Sequence, residues 1–230
     1  MAEEAARQGV RAIIGTPRMR GREDAFDKAV AIRESAWWLQ DALDEAGIPI
    51  TVFPGAQVML GRYLPDAVRR RAPVTLAGSG KYILVDLPPG KLETYLGLAE
   101  ALTRAGTIPV LAHPETHPAL QHEPRALRRL VERGALAQVN SASLLASKGS
   151  GEREAAKAFL ALGLVHFIAT DTHPANGKPG SLLKAAQAAA EIVGGERAWR
   201  LVAQNPDRVL RGEPLGTGAG APDALLSSRA

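Results

Sequence analysis

The chain has no cysteine in its 230 residues, which excludes disulfides, zinc–thiolate centres and thiol nucleophiles. Aromatic residues are scarce, at 4%. The densest basic cluster, Arg69-Arg70-Arg71, has no aromatic side chains interleaved with it, so bases would find no stacking platform and nucleic acid is not an expected partner. No apolar run approaches the roughly 18 residues that a membrane span needs. The acidic opening Met1-Ala-Glu-Glu-Ala-Ala-Arg7 lacks the apolar stretch of a secretory signal, and a cytoplasmic location is expected. No G-x-S-x-G elbow occurs, and Ser141 and Ser143 lack that setting, which argues against a Ser-His-Asp hydrolase.

What is present is enough apolar material, 46% of residues, for one large domain of the size of an α/β barrel. The net charge of +4 comes from a high arginine content. It reads either as solvated helix faces or as attraction for an anionic substrate such as a phosphate ester. Helical and strand patterns alternate. Strands are expected at 10–15, 50–53, 81–86, 108–112, 136–139 and 165–170, six in all, and helices near 1–8, 23–46, 91–104, 124–133, 152–162, 181–193 and 196–204. Short continuous apolar strands alternating with helices predict a buried parallel sheet. The expected organisation is a barrel domain over 1–214 and a Gly/Ala/Ser-rich flexible tail over 215–230.

Two of these strands end abruptly in residues that bind metals. Ile108-Pro109-Val110-Leu111-Ala112 stops at His113-Pro114-Glu115, and 165–170 stops at Asp171-Thr172-His173. In a barrel, the residues following each strand share one rim, which places His113, Asp171 and His173 within reach of one ion. Their donor types suit manganese, iron or zinc. Taken singly, a histidine after a strand is more often structural, and Asp171 could simply cap a turn. His117, His122 and His166 read as structural or exposed. Lys178 reads equally as a phosphate contact or a solvated lysine.

At these residues the chain resembles the bacterial tyrosine-protein phosphatases of the PHP superfamily, which accompany capsule and exopolysaccharide gene clusters. The similarity runs from about residue 3 to Leu215. It is most specific in Gly9–Pro17, in Ile108–Glu115, in Gly163–His173, and in the closing segment Asn205–Pro214. The resemblance implies a distorted (β/α) barrel and a cluster of metal ions, often manganese, that activates water against phosphotyrosine. It also implies a partner, the phosphorylated tail of a bacterial tyrosine kinase.

The resemblance carries over residue by residue only in part. His113, Asp171 and His173 match the family's ligands. The family's T-P-H is Thr16-Pro17-Arg18 here, so a histidine ligand has become Arg18. Its P-G-Q-E is Pro54-Gly55-Ala56-Gln57, so a bridging glutamate has become Gln57. Its H-P-E-R is His113-Pro114-Glu115-Thr116, so a phosphate-clamping arginine has become Thr116. Lys178 stands for a second phosphate-binding arginine, keeping the charge but not the bidentate fork. The family's first strand, with its H-x-H pair, would precede residue 1. Losing one negative charge and gaining a fixed positive one both oppose a multi-metal cluster.

The expectation is therefore a phosphatase-family chain with reduced or lost activity. It would bind at most one divalent ion, weakly, through His113, Asp171 and His173, with Lys178 and Arg18 holding phosphate. The alternatives are a non-catalytic phosphotyrosine-binding module and a phosphoesterase of small metabolites. A barrel lacking its first strand would carry a gap beside Val10–Gly15 and tend to self-associate as a homo-oligomer there.

Overall fold

A computed structural model of the chain describes residues 1–19, 25–69, 75–88, 90, 92–172 and 181–215. It has two compact units: Met1–Val110 with Val209–Gly212, and Leu111–Arg208 continued from Glu213.

The first unit opens with helix α1 (Ala2–Arg7), strand β1 (Ala12–Gly15) and strand β2 (Arg18–Met19). Helix α2 (Ala25–Glu45), strands β3 (Thr51–Pro54) and β4 (Gln57–Met59), and helix α3 (Leu64–Arg69) follow. Strand β5 (Tyr82–Asp86), helix α4 (Leu92–Arg104) and the start of strand β6 (Ile108–Ala112) complete it. β1 and β3 form a parallel pair, and β1 has no second strand beside it among the described residues. A separate parallel ladder runs β2-β4-β5, with β6 next in order after β5.

β5 is a strand because it is a short, β-rich apolar run closed by Asp86 and prolines. Its residues Tyr82, Ile83 and Val85 have no exposed surface. α4 buries Tyr95, Leu96, Ala99 and Leu102, the spacing of an amphipathic helix. α2 lies against β3, where Gln40 accepts from Val52 N–H at 2.7 Å and donates to the Ile50 carbonyl at 3.2 Å. Its Trp37 and Trp38 face outward and are more than 70% exposed.

The second unit begins within β6 and continues through a 3₁₀ turn (Pro114–Thr116), helices α5 (Pro118–His122) and α6 (Pro124–Glu132), strand β7 (Leu136–Asn140) and helix α7 (Ser141–Leu145). Helix α8 (Gly151–Ala161), strand β8 (Phe167–Ala169), helices α9 (Leu182–Val193) and α10 (Gly195–Trp199), a π-turn (Arg200–Gln204) and helix α11 (Asn205–Leu210) follow. The strand order in this unit is β6-β7-β8, with β7 and β8 parallel. Leu127, Leu130, Val139 and Phe159, none with exposed surface, form its core with Ile168. No helix among the described residues is long and apolar enough to cross a membrane.

The fold class is the expected one, α/β with parallel strands in βα succession. The strand count is not. Eight strands occur among the described residues rather than six, because Arg18–Met19 and Gln57–Met59 re-enter a ladder after breaks that read as loops. The breaks are Thr16-Pro17 and Gly55-Ala56, and strands of two and three residues have too little sequence to show alternation. β8 is shorter than 165–170, although His166 N–H still donates to the Ala137 carbonyl at 2.9 Å. Helices α3, α5 and α7 were not expected.

Gly55 is where the chain crosses from β3 to β4. A Cβ there would stand 2.6 Å from Ile14 Cγ2 and 3.3 Å from Thr16 Cγ2. Ile14 belongs to β1, so a side chain at 55 has to push that strand pair apart. Gly55→Ala is expected to lower stability by about 1–3 kcal/mol, the usual cost of overpacking; a chemical-denaturation midpoint equal to that of the parent would contradict this.

Candidate functional site

Two of the expected ligands lie in the second unit, each just beyond a strand. His113 follows β6 with φ 35° and ψ 52°, and Asp171 follows β8 with φ 45°. Left-handed backbone costs a residue with a Cβ about 1–3 kcal/mol and collects at functional sites. Only Ala77 shares it among the described non-glycine residues, so this strain falls mainly on the residues the sequence singled out.

Thr116 fixes the orientation of His113. Its hydroxyl donates to the His113 carbonyl at 2.9 Å and lies 3.2 Å from His113 Nδ1. With its single proton committed to the carbonyl, the hydroxyl oxygen accepts from Nδ1–H. That tautomer places the ring's lone pair on Nε2. Thr116 therefore acts as an orienting group for the histidine.

Asp171 is held by Asn140, the last residue of β7, which donates Nδ2–H to Asp171 Oδ2 at 3.0 Å. The Asn140 backbone N–H donates to Glu115 Oε1 at 2.9 Å, and Ser143 Oγ–H donates to the same oxygen at 2.8 Å. Glu115 is fully buried. Its burial pushes the carboxyl up to about 7, against the opposing pull of the Asn140 and Ser143 hydrogen bonds and of nearby His113. Glu115 Oε2, Asn140 Oδ1, Ser141 Oγ and Thr172 Oγ1 are buried without a hydrogen-bond partner among the described residues. An imidazole, a carboxylate and several unspent polar atoms are donor types that a divalent ion takes.

Arg18 and Gln57 lie in the first unit. Arg18 on β2 is solvent-exposed and pairs in register with Gln57 on β4. Gln57 is buried and donates Nε2–H to Asp86 Oδ1 at 2.6 Å. Sequence reasoning passed over Asp86, although it closes an apolar strand just as His113 and Asp171 do. It also missed Asn140, Glu115 and Thr116, whose roles depend on contacts no local pattern reveals. Gln57 is a neutral amide, so the Gln57–Asp86 pair is not the paired carboxylate that a bridged metal cluster uses.

His173 and Lys178 lie outside the described residues. Among the described residues no group of three His, Asp or Glu side chains is arranged to hold a metal; the expected trio includes His173. His166 is a core residue, as expected. Its Nδ1 accepts from Ala137 N–H at 3.1 Å, its carbonyl accepts from Asn205 Nδ2–H at 2.8 Å, and burial drives its imidazole down to about 4.

Parallel strands in βα succession make this an α/β protein, consistent with a distorted PHP-type barrel. The chain belongs to the family described as capsular polysaccharide synthesis, CpsB/CapC, whose model matches residues 1–211. It is 31% identical over 216 residues to tyrosine-protein phosphatase YwqE of Bacillus subtilis, covering 94% of this chain and 84% of that one. It is 26% identical over 217 residues to tyrosine-protein phosphatase CpsB of Streptococcus pneumoniae, covering 90% and 87%. A crystal structure from work on those two proteins, described as unique metal-dependent tyrosine phosphatases, superposes with a TM-score of 0.86 at 29% identity. It covers 96% of this chain and 89% of its own.

Two expectations follow from the buried groups and the strained backbone. Glu115 holds its proton more tightly folded than unfolded, so its contribution to stability is complete below pH 4.5 and lost as pH rises to about 7. His166 does the opposite, contributing above pH 6.5 and losing that contribution as pH falls to about 4. Each amounts to about 3 kcal/mol over its range, and the two slopes largely cancel where they overlap. Glu115→Gln should make stability rise from pH 4 to 6.5, and His166→Asn should make it fall from pH 4.5 to 7; parallel denaturation curves across pH for parent and variants would refute both. Glycine should also be more stable than alanine at positions 113 and 171, by about 1 kcal/mol each, because only glycine accepts that backbone without strain. The reverse order in thermal melts would mean the strain is absent.

Proposed function

We propose that this chain is a metal-dependent tyrosine-protein phosphatase of capsule and exopolysaccharide regulation whose turnover is reduced. It acts in the cytoplasm on phosphotyrosine, with the tail of a bacterial tyrosine kinase as the natural substrate. The observation that carries the reading is the pair of strand-end residues, His113 and Asp171. Both sit in left-handed backbone, and each has a dedicated side-chain partner. Family membership and the names of the relatives support the substrate class.

His113 Nε2 and the Asp171 carboxylate, with His173, would hold one divalent ion, manganese being the family's usual choice. When bound, such an ion supplies a Lewis acid and a hydroxide near neutral pH. The chain's own residues do the rest. Thr116 fixes the tautomer of His113, and Asn140 fixes Asp171. The family resemblance makes Arg18 and Lys178 the candidate cations for phosphoryl oxygens. Reduced turnover follows from Gln57, whose amide is bonded to Asp86 where the family has a bridging glutamate, and from Thr116 in place of a phosphate-clamping arginine. Losing one preorganised group of this kind typically costs about 10²–10³ in rate.

The test is phosphotyrosine-peptide hydrolysis by the full chain with added Mn²⁺, measured beside the Bacillus subtilis relative. Turnover at least about 10²-fold lower, abolished by His113→Ala, is expected. The double variant Arg18→His with Gln57→Glu should not restore full activity. Turnover equal to the relative's would overturn the reduction. Preference for sugar phosphates over the peptide would overturn the substrate class. Peptide binding without any hydrolysis would make the chain a phosphotyrosine-binding module.

A further inference from the structure

We infer that Asn140 is a positioning residue for metal binding, acting through Asp171 and itself locked by Glu115; the inference rests on the metal-binding reading of Asp171 above. Asn140 closes β7, between the strands that deliver His113 and Asp171. Its side chain and its backbone point to different tasks. Nδ2–H is spent on Asp171 Oδ2 at 3.0 Å, and the backbone N–H is spent on Glu115 Oε1 at 2.9 Å. The amide orientation follows from chemistry, since turning it over would set Oδ1 against a carboxylate oxygen, acceptor against acceptor.

Asp171 needs such a partner. Its backbone is left-handed at φ 45°, a conformation that a non-glycine residue keeps only when its surroundings hold it there. One Asp171 oxygen is taken by Asn140, which biases the other toward a ligand. Asn140 is in turn fixed by Glu115, two residues after His113 in the same 3₁₀ turn. The turn that presents the histidine therefore also anchors the residue that aims the aspartate. Ser143 adds a second donor to Glu115 Oε1 at 2.8 Å, which holds the start of α7 and the end of β7 in place.

Removing the outer partner of a metal ligand typically lowers affinity about 10–100-fold. The test is Mn²⁺ titration of the full chain followed by electron paramagnetic resonance, with thermal melting of the metal-free protein as the folding control. Asn140→Ala and Asn140→Leu should both weaken Mn²⁺ binding within that range. Leucine restores the side-chain volume but not the donor, so a role in packing alone would separate the two variants. In the background of Asp171→Asn, the further loss from Asn140→Leu should be at most twofold, because the two residues act as a unit. Parent-like Mn²⁺ affinity in Asn140→Leu, or additive losses in the double variant, would overturn the positioning role and leave the proposed metal site standing. A parent chain that binds no Mn²⁺, with His113→Ala indistinguishable from it, would overturn both.

Discussion

The second unit depends on a carboxyl group that has no contact with solvent. Burying Glu115 is costly, and two hydrogen bonds to one of its oxygens recover only part of the cost; the remainder appears as a carboxyl held up to about 7. The arrangement persists because Glu115 occupies the junction of three strand ends. It lies in the turn after β6, accepts from the last residue of β7 and from α7, and through Asn140 reaches the residue that follows β8. An apolar residue could fill this position at lower cost. It could not hold Asn140 in place, and Asp171 would then lose the support that its backbone requires. The cost in stability is a structural condition of the site's geometry.

Much of this was legible in the sequence, for identifiable reasons. β5 and β6 are continuous apolar runs bounded by breakers, β7 is an apolar run broken only by Gln138, and the expected and observed limits of all three differ by at most a residue. His113 and Asp171 were legible because each interrupts such a run with a polar residue. Asp86 carries the same signal and was overlooked, so its omission was a lapse in applying a sound rule. β2 and β4 were illegible in principle, since pairing of two or three residues leaves no periodicity to read. The Glu115–Asn140–Asp171 chain was also illegible, because its links join residues 25 and 31 positions apart. Folding creates those contacts, and no spacing in the sequence encodes them. His166, read as structural or exposed, is structural: it sits inside an apolar run, where a neutral imidazole with one accepted hydrogen bond is the inexpensive solution.

Each unit sets a strand-end carboxylate against a neutral amide. In the second unit, Asp171 accepts from Asn140 at 3.0 Å. In the first, Asp86 accepts from the amide of Gln57 at 2.6 Å. Two carboxylates that close would repel and would need either a shared proton or a cation between them. Gln57 is a neutral amide, so Asp86 meets no such repulsion from it. A glutamate at position 57 would introduce that repulsion, and with it a reason for a cation to bind between the two carboxylates. The exposed guanidinium of Arg18, in register with position 57, would remain as a competing positive charge.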